Sequence, residues 1–148
     1  LKLVDSLQGI SRLFLDTAPV IYYVERHRIY FPLVDPIFDL IIDGAIEAVT
    51  SPITLAECLV IPYRQNSVDI EQKFIDVILG GENTSCFLID EDVGQQAAKI
   101  RANHNLALPD AFQIAIAIQS GCDAILTNDQ ELKRVTELSI LVLSELEL

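Results

Sequence analysis

A chain of 148 residues, 51% of them hydrophobic, is long enough for one domain with a single sizeable core. Its apolar runs are short and punctuated, and none approaches the ~18 consecutive residues of a membrane span. The net charge of −12 argues against loose, field-driven binding of nucleic acid. It suits a site whose carboxylates hold divalent cations, so the placement of the acids decides its meaning.

The stretch LKLVDSLQGISR lacks the basic start, long apolar run and small-residue cleavage site of a secretory signal. The expectation is a soluble, cytoplasmic protein with no membrane partner. Cys58, Cys86 and Cys122 are widely spaced among apolar neighbours, which suits buried free thiols in a reducing compartment.

In chain order, residues 1–11 form a short N-terminal extension and RLFLD (12–16) is a buried strand ending in an acid. TAPVIYYVERHR follows as a helix, with Thr17 as N-cap and Pro19 in the first turn. YFPLVDPIFDLIIDG is a second helical pattern, and AIEAVT (45–50) a second strand. SPITLAECLVIP starts a helix with Ser51 as cap and Pro52 at the first position, which carries Glu57. VDIEQKFIDVILGG (68–81) is an amphipathic helix, TSCFLID (84–90) a strand, and EDVGQQAAKIRANHN (91–105) a helix. LPDAFQIAIAIQSG is a nearly all-apolar helix, and such a helix belongs in a core. CDAILTND (122–129) is a strand, QELKRVTE (130–137) a short helix and SILVL (139–143) a last strand.

Strands alternating with helices predict an α/β fold, a single domain over 1–148 whose mostly parallel central sheet is covered on both faces. In such sheets ligands collect beyond the carboxyl ends of the strands. Asp16 and Asp129 stand at strand ends, Glu57 follows the second strand, and Asp110 opens the buried helix. Each acid has an ordinary explanation: Asp110 as a helix cap, Asp16 and Asp129 as turn residues, Glu57 as a solvated side chain. Only their convergence gives them a common chemistry. Closely packed carboxylates push one another toward protonation, and a hard divalent cation reverses that preference.

LFLDT, TLAEC, LPDAFQIAIA and TND, in this order, resemble the acidic signature of PIN-domain nucleases, in particular the VapC toxins of toxin–antitoxin pairs. The resemblance extends from about Arg12 to the last strand. It implies a three-layer sandwich with four or five parallel strands, and a metal-dependent ribonuclease site at Asp16, Glu57, Asp110 and Asp129. It also implies one or two Mg2+ or Mn2+ ions, an RNA substrate cut to leave a 5′-phosphate and a 3′-hydroxyl, a homodimer, and an antitoxin partner. On this reading Asp16 and Asp110 bind the metal most directly, while Glu57 and Asp129 complete the site. Thr17, Thr127 and Asn128 stand beside the acids as supporting residues or as ordinary caps and turn formers. Gln113, one turn from Asp110, is a weaker candidate. Arg26 and Arg28, in the one locally basic and aromatic stretch, are weak candidates for RNA phosphates. The rival reading is a PIN-like interaction module without turnover. A phosphoaspartate protein is disfavoured because Thr-Ala-Pro follows Asp16, with no second acid two positions on.

Overall fold

In the computed structural model, which describes residues 1–148, five strands form one sheet in the order β3-β2-β1-β4-β5, and every pairing is parallel. The strands are β1 Arg12–Leu15, β2 Glu47–Thr50, β3 Thr84–Cys86, β4 Ala124–Thr127 and β5 Ser139–Val142. The helices are α1 Leu3–Ser6, α2 Thr17–Val24, α3 Phe31–Ile42, α4 Pro52–Gln65, α5 Val68–Gly80, α6 Glu91–His104 and α7 Leu108–Gln119. No helix is long and apolar enough to cross a membrane.

The period-2 alternation of strand side chains divides the core into two layers. Leu13 and Leu15 of β1 join Ala48, Ala124 and Leu126 under α2, α3, α4 and α5. Phe14 points the other way, with Val49 and Ile125, into a second cluster with α6 and α7. The central strand β1 is therefore sealed on both faces, with Leu13, Phe14 and Leu15 at 0% exposure. The α1 turn packs Leu3 into the first cluster, and Lys2 bridges Glu147 beside it.

Several boundaries differ from the sequence expectation. β3 ends at Cys86 rather than Asp90 because its partner β2 ends at Thr50, where Ser51 turns the chain into α4. One further bond, from Phe87 N–H to Thr50 O at 2.9 Å, closes that edge. The expected helix over 130–137 is a 3₁₀ turn, Gln130–Arg134, after which Val135 is already extended. Asp16, not Thr17, occupies the N-cap position of α2, and Thr17 is its first helical residue. Asp110 does not cap α7: the cap position is Ala107, and the Asp110 carboxylate makes no capping bond.

The topology places the site. From β1 the chain proceeds to β2 and β3 on one side, whereas β4 and β5 lie on the other. The strand order thus reverses between β1 and β4, and the crevice beyond their carboxyl ends is where an open α/β sheet receives ligands.

Candidate active site

Pairing of Leu15 with Leu126 in the β1–β4 register brings the residues after both strands level with each other. Asp16 N–H donates to Leu126 O at 3.0 Å, and Thr127 Oγ1 donates to Asp16 Oδ2 at 2.7 Å. The same Thr127 hydroxyl oxygen accepts the Asp129 backbone N–H at 3.0 Å, so one buried threonine fixes two acidic positions. Asp129 then turns the chain by accepting Glu131 N–H on Oδ1 at 2.9 Å.

The α4 helix crosses above this edge. Ser51 caps it by accepting Thr54 N–H at 3.1 Å, as the Ser-Pro start foretold. Glu57 is reached by Thr17, whose Oγ1 donates to Glu57 Oε1 at 2.6 Å. Asp110 arrives from the opposite layer on the first turn of α7, where a negative charge is favoured by the unpaired N–H groups of a helix start.

The electrostatics tie the acids together. Burial raises the Asp16 carboxyl above its usual range, Thr127, the Thr17 backbone N–H and Gln113 pull it back by hydrogen bonding, and Glu57 adds repulsion. Asp110 is raised to about 6, first by burial and then by Asp16, Asp129, Glu57 and Glu131. The ion pairs of the chain are Lys2–Glu147, Arg12–Glu47, His104–Glu137, Lys133–Glu145 and Arg134–Glu131, and none neutralises the four site acids. This donor set, all hard oxygens with uncompensated negative charge, fits Mg2+ or Mn2+. No three carboxylates stand close enough to ligate one ion directly as they are.

The remaining candidates divide. Thr17 and Thr127 hold acids, whereas Asn128 is a structural strap: its Nδ2 donates to Tyr22 Oη at 3.0 Å and its Oδ1 accepts Ser144 N–H at 3.0 Å. Arg26 lies past the end of α2, over the Phe31 ring at 5.3 Å, and Arg28 is exposed in the following turn. His27 closes that turn by accepting Ile29 and Tyr30 N–H on Nδ1, both at 3.2 Å, and His104 bonds Glu137 at 3.0 Å. Arg101 donates to Leu106 O at 2.6 Å, an internal tie. Sequence reasoning ranked Gln113 low and passed over Thr54 and Glu131. Gln113 is 1% exposed and reaches Asp16 Oδ1 at 3.4 Å and Thr54 Oγ1 at 2.8 Å. Its signal was visible as the one polar interruption of an apolar helix.

Two surfaces adjoin the site layer. Pro52, Ile53, Ala56 and Glu57 of α4 face Leu108, Pro109 and Phe112 of α7 across a mostly apolar cavity of about 340 Å³. A separate groove of about 310 Å³ between α2, α3 and α5, lined by Tyr23, Arg26, Phe31, Asp35, Lys73 and Asp76 among others, contains none of the four acids.

Residues 13–138, most of the chain, match the PIN domain family. No curated protein is similar enough to count as a relative. Among solved structures, VapBC2 from Rickettsia felis bound to a promoter DNA fragment superposes with a TM-score of 0.69 at 16% identity, over 87% of this chain and 96% of that one. FitAcB from Neisseria gonorrhoeae gives 0.63 at 23% identity, over 89% and 98%. VapC20 from Mycobacterium tuberculosis, a toxin that cleaves the sarcin–ricin loop, gives 0.61 at 15% identity, over 76% and 86%. At these identities the likeness concerns the fold.

Proposed function

The chain belongs to the PIN domain family, and we propose that it is a metal-dependent endoribonuclease, the toxin of a toxin–antitoxin pair. What supports this reading is the electrostatic influence of Asp16, Asp129, Glu57 and Glu131 on Asp110 beside the β1–β4 switch point, where burial first and these acids next raise the Asp110 carboxyl to about 6. Asp16 and Asp110 would hold Mg2+ or Mn2+ most directly, with Glu57 and Asp129 completing the site through water or a second ion. When bound, the metal supplies charge to polarise the scissile phosphate, activate a water and stabilise the leaving oxygen.

The chain's own groups do the aiming. Thr127 fixes Oδ2 of Asp16 by a hydrogen bond, and Thr17 holds Glu57 Oε1, leaving Oε2 without a bond from the protein and free to accept one from water. Hydrolysis on this plan leaves a 5′-phosphate and a 3′-hydroxyl. The net charge of −12 disfavours broad RNA binding, which suits a narrow substrate range. Arg28, exposed like Arg26, is the candidate for an RNA phosphate. Arg26, laid over Phe31 beside Lys73, suits contact with a protein partner.

The groove between α2, α3 and α5 mixes aromatic surface with both signs of charge, as a site for an antitoxin segment would. The apolar cavity between α4 and α7, continued along α4 by exposed Val60 and Tyr63, suits a homodimer contact next to the site. A cytoplasmic location follows from an RNA substrate and an antitoxin partner.

The test is incubation of the pure protein with structured RNAs, with Mg2+ or Mn2+ and with chelator. Metal-dependent cleavage with 5′-phosphate ends, reduced about 10²–10⁴-fold by Asp16→Asn and by Asp110→Asn, is the expected result. No cleavage with either ion leaves the interaction module as the better reading, and cleavage that survives both substitutions overturns the assignment of these acids as the catalytic site.

A further inference from the structure

The site carries a polar assembly beneath it that goes beyond the capping of α4 by Ser51. Gln113 enters from α7, Ser51 and Thr54 from the start of α4, and Asp16 from the end of β1, all within the core and all at 9% exposure or less. Thr54 Oγ1 donates to Leu15 O at 3.2 Å, the carbonyl just before Asp16. Ser51 Oγ donates to Gln113 Oε1 while accepting Thr54 N–H.

These bonds leave the amide no choice of orientation. With Oε1 taken by the Ser51 hydroxyl, Nε2 faces Thr54 Oγ1 at 2.8 Å and Asp16 Oδ1 at 3.4 Å, so both amide hydrogens have acceptors. No buried side-chain polar atom in the chain lacks a partner, so the assembly is complete. A buried network satisfied at every member is rigid, and losing one member strands the others.

Thr127 grips Oδ2 of Asp16 and Gln113 grips Oδ1. The carboxylate is held from both sides by neutral donors, which fix its plane without cancelling its charge. We infer that Gln113 is a positioning residue: its amide sets the plane of Asp16 for the cation and locks that plane to α4, the helix that brings Glu57. Outer hydrogen-bond partners of a metal-binding carboxylate set its orientation and affinity in this way, and their loss weakens metal binding about 10–100-fold. The inference rests on the proposed metal site.

The experiment measures Mn2+ binding by electron paramagnetic resonance, together with melting temperature in chelator, for the wild type, Gln113→Leu and Gln113→Glu. Leucine fills the space without a donor. Glutamate keeps an acceptor for Ser51 but turns an oxygen toward Asp16. Both are expected to lose about tenfold or more in Mn2+ affinity. The glutamate variant, nearly isosteric, guards against a folding defect in the leucine variant. In 15N-labelled wild type, the Gln113 side-chain amide resonances are expected to move with Mg2+ at the midpoint of thermal stabilisation. If wild type binds Mn2+ and both variants bind it equally well, whatever their melting temperatures, the positioning role is overturned and the metal site stands. If wild type binds no Mn2+, the nuclease reading falls and this inference with it.

Discussion

Replacing Asp110 by asparagine should stabilise the metal-free protein at neutral pH, although it removes an acid from a helix start. The carboxyl is raised from 3.8 to about 6, a rise worth roughly 3 kcal/mol at 1.36 kcal/mol per unit. Asp110 is only half-buried, so screening by water reduces this to about 1–2 kcal/mol. The lost charge at the start of α7 subtracts about 0.5 kcal/mol, leaving a net gain of about 1 kcal/mol. For a domain of this size that corresponds to about 2–4 °C in melting temperature. The sign follows from linkage. A carboxyl whose folded value lies above its unfolded value binds more protons in the native state, so its contribution is fully present below about 3.8 and is lost as pH rises through about 6. Above that value the charged form opposes folding, and asparagine removes the opposition. Calorimetry in chelator at pH 7.5 should show the variant melting higher than wild type, with the difference shrinking to about half at pH 5 and vanishing or reversing below about pH 4. Millimolar Mg2+ at pH 7.5 should raise the wild type more than the variant, because the cation binds the native state and needs the carboxylate. A variant that melts lower at pH 7.5 without metal, or one equally stabilised at both pH values, would refute the claim that burial and the neighbouring acids disfavour the charged form of Asp110.

Thr127→Val keeps the shape but removes the donor to Asp16 and strands the Asp129 N–H; a loss of about 1–3 kcal/mol is expected in denaturant titration, with weaker Mn2+ binding. Gly81→Ala should be destabilising by about 1–3 kcal/mol, since an added methyl would lie 2.6 Å from the Val77 carbonyl oxygen while the backbone itself, at φ −64°, is unstrained. An unchanged melting temperature would show that the α5–β3 junction yields easily. Cys58, buried and pushed up to about 12, should resist a thiol reagent in the native protein at pH 8 and react only on unfolding, which a timed absorbance assay reads directly.

Local chemistry made much of the fold legible. Ser51-Pro52 announces the start of α4, and Gly80-Gly81 the end of α5. The unbroken apolar character of LFL (13–15) and AIL (124–126) belongs to strands covered on both faces, as β1 and β4 are. The misplacements share a cause in tertiary pairing. FLID reads as strand but has no β2 partner beyond Thr50. Thr17 has the composition of a cap, yet β1 hands the chain to α2 one residue earlier, and its hydroxyl is committed to Glu57. Asp16 and Asp129 could be picked out as candidates because acids at strand ends are conspicuous, whereas Glu57 and Asp110, both on helices, joined them through the resemblance to PIN-domain nucleases. Gln113 with Ser51 and Thr54 could not, because their meeting joins α7 to the start of α4 across the sheet edge, and no local spacing encodes that approach.

The mount of Asp110 has a consequence for control. Ala111, Ile114, Ala115, Ile116 and Ala117 of α7 are all at 0% exposure, so its amides should exchange with solvent only through global opening. A mount anchored so deeply is set as soon as the chain folds. If the proposed nuclease function holds, restraint has to come from outside, by a cover laid over the crevice. Stripping that cover away would then expose a crevice already mounted on its scaffold, with no refolding delay.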